Sequence, residues 1–438
     1  MDGETTRHAL KLAAVTLLVG VAGGIGGGGM ALLLHLVQHI VYGYSLEDLV
    51  GPESFLRGVS TVSPLHRLLA LTAAGLVAGL SWWAVYNRGA KLVSIKTAAA
   101  AGKPMPYGST TAHAVLQIVT VAMGSPLGRE VAPREIAAIL TQKLTGWAGI
   151  SGEDAKTLLG CGAGAGLAAV YNVPLGGAVF ALEVLILRMD AKSILMALST
   201  SCIAAVLAWS VLGNEPQYHI PAFSLSVPLM MLCVLSAPFI GLAGHGFNRF
   251  TAAMRKNMRT DGWLIWRCLA VFTLIGLAAM AFPQLPGNGK GPIQLGLDSA
   301  IPLHLGLALL ALKVAAIGGA LWAGAEGGVL TPGLTVGTLL STLLVLGWNA
   351  ILPAIPPGAF VLAGAAAFLG VSMEMPFTAV ALMFGFTHVG QTFLVPLILT
   401  TAIASATGRA VPVLGAAYAR GRSRARARAA SLGRPSSP

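Results

Sequence analysis

The chain has 438 residues, 55% of them apolar and 10% charged, with a mean hydropathy of +0.77 and a formal net charge of +12. A soluble domain carries about a quarter charged residues. These figures exclude a water-soluble enzyme, a disordered chain, a nucleic-acid module and a disulfide scaffold, and leave an all-α polytopic membrane protein. The charge is local: Arg420, Arg422, Arg424, Arg426, Arg428 and Arg434 supply half of it from a tail without acids. A basic tail beside an apolar segment marks the cytoplasmic side and meets anionic headgroups, so 420–438 reads as a disordered cytoplasmic tail and not as a nucleic-acid arm.

In chain order, residues 1–10 form a short polar start mixing Asp2 and Glu4 with Arg7. The apolar run from Lys11 to Ile40 shows no small-residue cleavage pattern, so no signal peptide is expected, and it is long enough to cross about 30 Å of hydrocarbon. Further apolar segments follow at 65–86, 113–127, 133–146, 157–188, 193–213, 225–250, 263–283, 301–323, 327–350, 359–371, 375–388 and 394–412. Several are too short to span. Glycine and proline break them at Gly124–Pro133, Asn172–Pro174, Gly327–Pro332 and Glu374–Pro376. In a bilayer, interrupted backbone is tolerated only where protein buries it or it lines a water-filled cavity. Such breaks at matching places in two halves mark a transporter or channel with internal repeats.

The halves, 11–215 and 225–415 within a membrane domain of 11–419, do match. Gly162 to Pro174 aligns without a gap on Gly364 to Pro376 at an offset of 202, with identities at Gly162, Ala163, Ala165, Leu167 and Pro174. A second pair sets Gly128-Arg129-Glu130-Val131-Ala132-Pro133 against Gly327-Gly328-Val329-Leu330-Thr331-Pro332 at an offset of 199.

Each break starts a helix whose first amides lack partners, an end that carries about half a positive charge and suits an anion. Two such starts converging at mid-bilayer would hold a small anion without buried lysines; packing kinks are the alternative. Glu130 sharpens the first reading. A carboxylate in an apolar segment costs about 2.5–3.5 kcal/mol on insertion scales and is a functional candidate by default. At a helix start it would occupy the anion's own place and leave when protonated or displaced. The alternative is a structural ion pair with Arg129 or Arg134. Glu183, Glu326 and Glu374 are further buried-looking carboxylates, and Lys313 stands alone in an apolar run, either to cap a helix end or to attract anions. No metal-ligand spacing, cofactor motif or hydrolase motif occurs: His35 and His39 lack a third ligand, and Cys161, Cys202, Cys233 and Cys268 stand singly.

These residues resemble the CLC family of chloride channels and proton–chloride antiporters. Gly166-Leu167-Ala168-Ala169-Val170-Tyr171-Asn172-Val173-Pro174-Leu175-Gly176-Gly177, with Phe180 and Glu183, is similar to the family's GLAAxFNxPLxG run. Leu127 to Glu130 resembles the start of GREGP, and Gly328 to Pro332 resembles GxFxP. The resemblance implies a fold of two inverted halves with broken, tilted helices, in a homodimer with one anion path per subunit. It also implies a multi-pass cell-membrane protein with both termini cytoplasmic. It makes Glu130 the gate, gives the amides of Gly128, Arg129 and Val131 to the outer anion site, and those of Gly328, Val329 and Leu330 to the central one. The anion is chloride or a similar small anion, and no cofactor or nucleotide-binding regulatory domain is expected.

The departures are equally informative. The GREGP proline arrives one place late, at Pro133, and bulkier residues stand beside the gate. The family's GSGIP is replaced around Gly102-Lys103-Pro104-Met105-Pro106, where Lys103 either substitutes a charge for the serine hydroxyl or is a surface lysine on a rebuilt loop; Ser109 and Thr110 are other donors. Leu414 stands where the pore tyrosine is expected, with Tyr418 one turn on, so chloride preference over fluoride or nitrate is open. Val184 stands where antiporters of the family carry the internal proton glutamate. An apolar side chain relays no proton, which favours channel-like permeation over proton-coupled antiport.

Overall fold

The computed structural model describes residues 3–43 and 55–412; Leu414, Tyr418 and the basic tail lie outside the described residues. The described residues are helical with no strand, and only Gly128 and Gly328 form an isolated antiparallel bridge. The helices are α1 (Gly3–Tyr42), α2 (Phe55–Thr61), α3 (Pro64–Arg88), α4 (Ile95–Ala101), α5 (Tyr107–Ala122), α6 (Val131–Trp147), α7 (Gly152–Tyr171) and α8 (Pro174–Phe180). After a π-helical turn at Ala181–Ile186 come α9 (Ala191–Leu212), α10 (Val227–Lys256), α11 (Trp263–Ala281), α12 (Lys290–Leu297), α13 (Leu303–Ala323), α14 (Leu330–Asn349), α15 (Pro357–Ser372), α16 (Pro376–Thr387) and α17 (Gln391–Pro412). Eight of these are long and apolar enough to cross a membrane: α1, α3, α9, α10, α11, α13, α14 and α17.

The repeat is visible in backbone geometry. Asn172 and Glu374, 202 residues apart, both take left-handed φ (54° and 56°), and the following Val173 and Met375 share nearly the same extended angles. Helices α5 and α13 end alike, with Ser125 N–H donating to Thr120 O and Ala325 N–H to Ala320 O, each through a positive-φ glycine, Gly124 and Gly324. The bridge between the two copies runs antiparallel, which fits halves of opposite direction. Glu374, read from its apolar neighbours as buried, is exposed: its left-handed turn carries it out of the helix packing.

Small residues set the packing, since lipid supplies no hydrophobic drive between helices and close approach must come from short side chains. A Cβ on Gly23 or Gly27 of α1 would fall 2.6 Å from Ala165 or Ala169 of α7, and one on Gly20 or Gly24 would meet Ile203 or Leu207 of α9. The glycine-rich run of α1 is thus its contact face. Helix α7 beyond its first turn and α15 are buried almost all round.

Four helices carry side-chain caps of their own. Ser63, Ser94, Asp190 and Ser226 each accept from an amide of the first turn. The four helices that begin at the sequence breaks have none, as is also true of α5, α7, α11 and α13. Glu130, Val173, Val329 and Met375, at the starts of α6, α8, α14 and α16, make no side-chain cap bond. The orphan amides of these starts must find partners across the fold.

Candidate functional site

The starts of α6 and α14 meet at the Gly128–Gly328 bridge: Gly128 N–H donates to Gly328 O at 2.7 Å and Gly328 N–H to Gly128 O at 2.9 Å. This corrects the expectation for those two glycines. Their amides are spent on each other, so they brace the loops rather than face an anion. Their missing side chains still matter. A Cβ on Gly328 would lie 1.8 Å from Glu130 Oε1, and one on Gly128 would lie 2.1 Å from Glu130 Oε2. Bare backbone on both sides makes the space that the carboxylate fills.

Glu130 is fully buried and sits at the N-cap of α6, yet its side chain does not cap its own helix. Oε1 accepts from the amide of Leu330, the first residue of α14, at 2.8 Å, and Oε2 accepts from the Tyr171 hydroxyl at 3.4 Å. The carboxylate of one half therefore occupies the helix start of the other. No acceptor on backbone or side chain engages the amides of Arg129, Glu130, Val131 or Val329 among the described residues.

The ion-pair alternative does not form. Arg134 Nε donates to the Glu130 carbonyl at 2.7 Å with its guanidinium over the Phe180 ring, and Arg129 stacks over the Tyr171 ring at 5.1 Å. Lys313 is buried with Nζ donating to the carbonyls of Leu285 (2.9 Å) and Gly287 (2.5 Å), so it braces that turn and is not directed at an anion. Lys103 is exposed, and Gln142 holds the neighbouring Met105 amide at 2.7 Å, so this loop brings neither charge nor a free Met105 amide to the site. Thr110 is buried with its hydroxyl unpartnered.

Glu183 has a different role from Glu130. Its two oxygens take the Phe377 amide (3.1 Å), the Thr378 amide (2.7 Å) and the Thr378 hydroxyl (2.6 Å), which closes the start of α16. Val184, in the same π-helical turn, packs into the apolar core. Glu326 is held by the Tyr86 hydroxyl at 2.5 Å and by Arg255 at 3.0 Å, and Arg255 also donates to Gly327 O at 2.7 Å, fixing the loop that leads into the bridge.

Tyr171 and Thr331 were not singled out from the sequence as site residues. Their hydroxyls lie 2.9 Å apart, both buried, beside Glu130. The signal was present: Tyr171 adds a hydroxyl where the resembled run carries phenylalanine.

Residues 69–409 match the family model described as "Voltage gated chloride channel". Among curated proteins, the chain is 26% identical over 371 residues to the "Voltage-gated ClC-type chloride channel ClcB" of Citrobacter koseri, covering 81% of this chain and 87% of the relative. It is 27% identical over 297 residues to the "H(+)/Cl(-) exchange transporter ClcA" of Vibrio vulnificus, covering 64% of this chain and 62% of the relative. Among solved structures, a slow cyanobacterial Cl⁻/H⁺ antiporter superposes with a TM-score of 0.79 at 19% identity, covering 92% of this chain and 95% of the other.

Proposed function

The chain belongs to the voltage-gated chloride channel family, and from that membership we propose that it carries chloride or a similar small anion by channel-like permeation gated by Glu130. One observation carries the reading: a fully buried carboxylate without an ion pair, whose Oε1 takes the orphan amide of Leu330 at 2.8 Å. The carboxylate oxygens stand in for the anion. An ion replacing them meets the Leu330 amide and the unengaged amides of Val329, Arg129 and Val131, at helix starts whose dipoles favour negative charge. In this reading the protein is a homodimer in a bacterial-type inner membrane, with one path per subunit and both termini cytoplasmic.

Protonation removes the charge that holds Glu130 on the Leu330 amide, so anion flux rises as pH falls. Glu130→Gln removes that charge at every pH. Chloride efflux from proteoliposomes is expected to rise in this variant and to lose most of its pH dependence; unchanged flux with an unchanged pH response refutes the gate. Movement of the charge through the membrane field biases the gate by up to about 2.3 kcal/mol per 100 mV.

A second reading, proton-coupled exchange of chloride or fluoride, is favoured by the buried pair His113–Glu135, whose Nδ1 and Oε2 lie 2.8 Å apart, with Gln117 Nε2 donating to the same carboxylate oxygen at 3.3 Å. Val184 supports the first, because its apolar packing offers no proton acceptor. An imposed chloride gradient separates the two: uphill proton movement by the wild-type protein defeats the channel reading.

A further inference from the structure

The carboxylate of Glu130 marks where an anion rests, so every donor that reaches it is a donor to the anion. One is the Leu330 amide. The other is the hydroxyl of Tyr171, the last residue of α7, which donates to Oε2 at 3.4 Å. Thr331, the second residue of α14, places its hydroxyl 2.9 Å from that of Tyr171. Tyr171, Thr331 and Leu330 are each under 5% exposed, so bulk water does not compete for these donors.

The tyrosine ring has little freedom. The Arg129 guanidinium lies over it at 5.1 Å, and Phe386 meets it edge to face at 5.3 Å. The hydroxyl direction is also constrained. When Tyr171 donates toward the carboxylate, its oxygen is left to accept from Thr331, and a donor that itself accepts a hydrogen bond is polarised toward its own acceptor. The two hydroxyls thus form a short chain that ends on the negative charge.

We propose that Tyr171 and Thr331 form a hydroxyl subsite of the anion path, which latches the ionised Glu130 carboxylate when it is docked and ligates the anion that replaces it. Tyr171 is the ligand and Thr331 positions it. The proposal rests on the reading of Glu130 as gate and deepens it. It gives the path two hydroxyl donors from α7 and α14.

The test uses purified full-length protein. Chloride binding is measured calorimetrically in Glu130→Gln, where the competing charge is gone, and in Glu130→Gln combined with Tyr171→Phe or with Thr331→Val. A hydrogen bond to an anion contributes enough that losing it weakens binding by about tenfold. Tyr171→Phe is expected to lower chloride affinity by about that factor, and Thr331→Val by about threefold, since it acts through Tyr171. In the otherwise wild-type protein, Tyr171→Phe is expected to raise chloride flux, because the docked carboxylate loses a donor. Loss of the ring's hydroxyl leaves its packing intact, and a loss of fold is visible separately in size-exclusion elution. Equal chloride affinity with and without the Tyr171 hydroxyl overturns the subsite while leaving the gate standing. An absence of chloride binding in Glu130→Gln alone overturns both.

Discussion

Gly328→Ala tests whether the proposed gate and the anion share one volume. The backbone of Gly328 is not in the left-handed region, and its N–H and C=O bonds to Gly128 survive the substitution, so alanine is conformationally acceptable. The obstacle is the added methyl, which would fall 1.8 Å from Glu130 Oε1, 2.3 Å from Cδ and 2.9 Å from Cγ, well inside the 3.0 Å that real Cβ contacts respect. The carboxylate must leave, losing its charge-assisted bond to Leu330, a change of about 1.5–3 kcal/mol, which is about 10- to 100-fold in the docked population. If carboxylate and anion occupy the same place, the methyl excludes the anion as well. Chloride efflux from proteoliposomes is then expected to fall by about the same 10- to 100-fold in Gly328→Ala, and Glu130→Gln in the same chain does not restore it. Displacement of the carboxylate into a path that stays open gives the opposite result, a single mutant faster than wild type. That outcome refutes the shared volume and with it the use of the carboxylate as a stand-in for the ion.

Two other carboxylates should behave unlike Glu130. His113→Leu leaves Glu135 buried with only the 3.3 Å contact from Gln117, and removal of one partner of a buried pair costs about 3–5 kcal/mol, so the unfolding midpoint in detergent should fall clearly; an unchanged midpoint refutes the pairing. Glu183→Ala removes three bonds at the start of α16. Loss of a helix cap costs about 1–2 kcal/mol, so this variant is expected to unfold earlier while keeping the wild-type pH dependence of flux. A flattened pH response in Glu183→Ala assigns gating to the wrong acid.

The sequence showed the breaks in the helices well and their pairing poorly. Proline at 174 and 376, with the same spacing from the Gly-Ala runs before them, was enough to predict a repeat, because a proline-broken helix in a bilayer has few physical solutions. The left-handed turns at Asn172 and Glu374 realise that repeat. The same turn explains the error at Glu374: neighbouring hydropathy suggested burial, but a left-handed residue between two helices points its side chain away from both. Gly128 and Gly328 were both recognised at helix starts, yet nothing in their spacing says that their amides face each other. Which orphan amide meets which acceptor depends on how α6 and α14 cross. Lys313 was ambiguous for a related reason: a lone buried lysine needs carbonyls or an anion, and only the turn at Leu285–Gly287 decides for carbonyls.

Two interior helix starts in this fold receive a glutamate from the opposite half, and the difference between them separates a cap from the proposed gate. Glu183 comes from the first half and closes α16 with three donors between 2.6 and 3.1 Å, two of them from Thr378. Glu130 also comes from the first half and closes α14, but with one amide at 2.8 Å and one long hydroxyl contact at 3.4 Å. Bonds to a charged acceptor contribute about 1.5–3 kcal/mol each, so Glu183 is held more firmly by at least one such bond. Burial acts in the same sense. Glu183 is half-buried, whereas Glu130 is fully enclosed, and enclosure raises the desolvation cost of a charge. On the proposed reading, the less firmly held carboxylate is the one that a competing anion displaces, and it is the one framed by two glycines. The second-half start receives its occupant from the first half in both cases. On the proposed reading, the gate's strength is therefore set at the junction of the repeats, where Leu330, Tyr171 and the Gly128–Gly328 bridge converge.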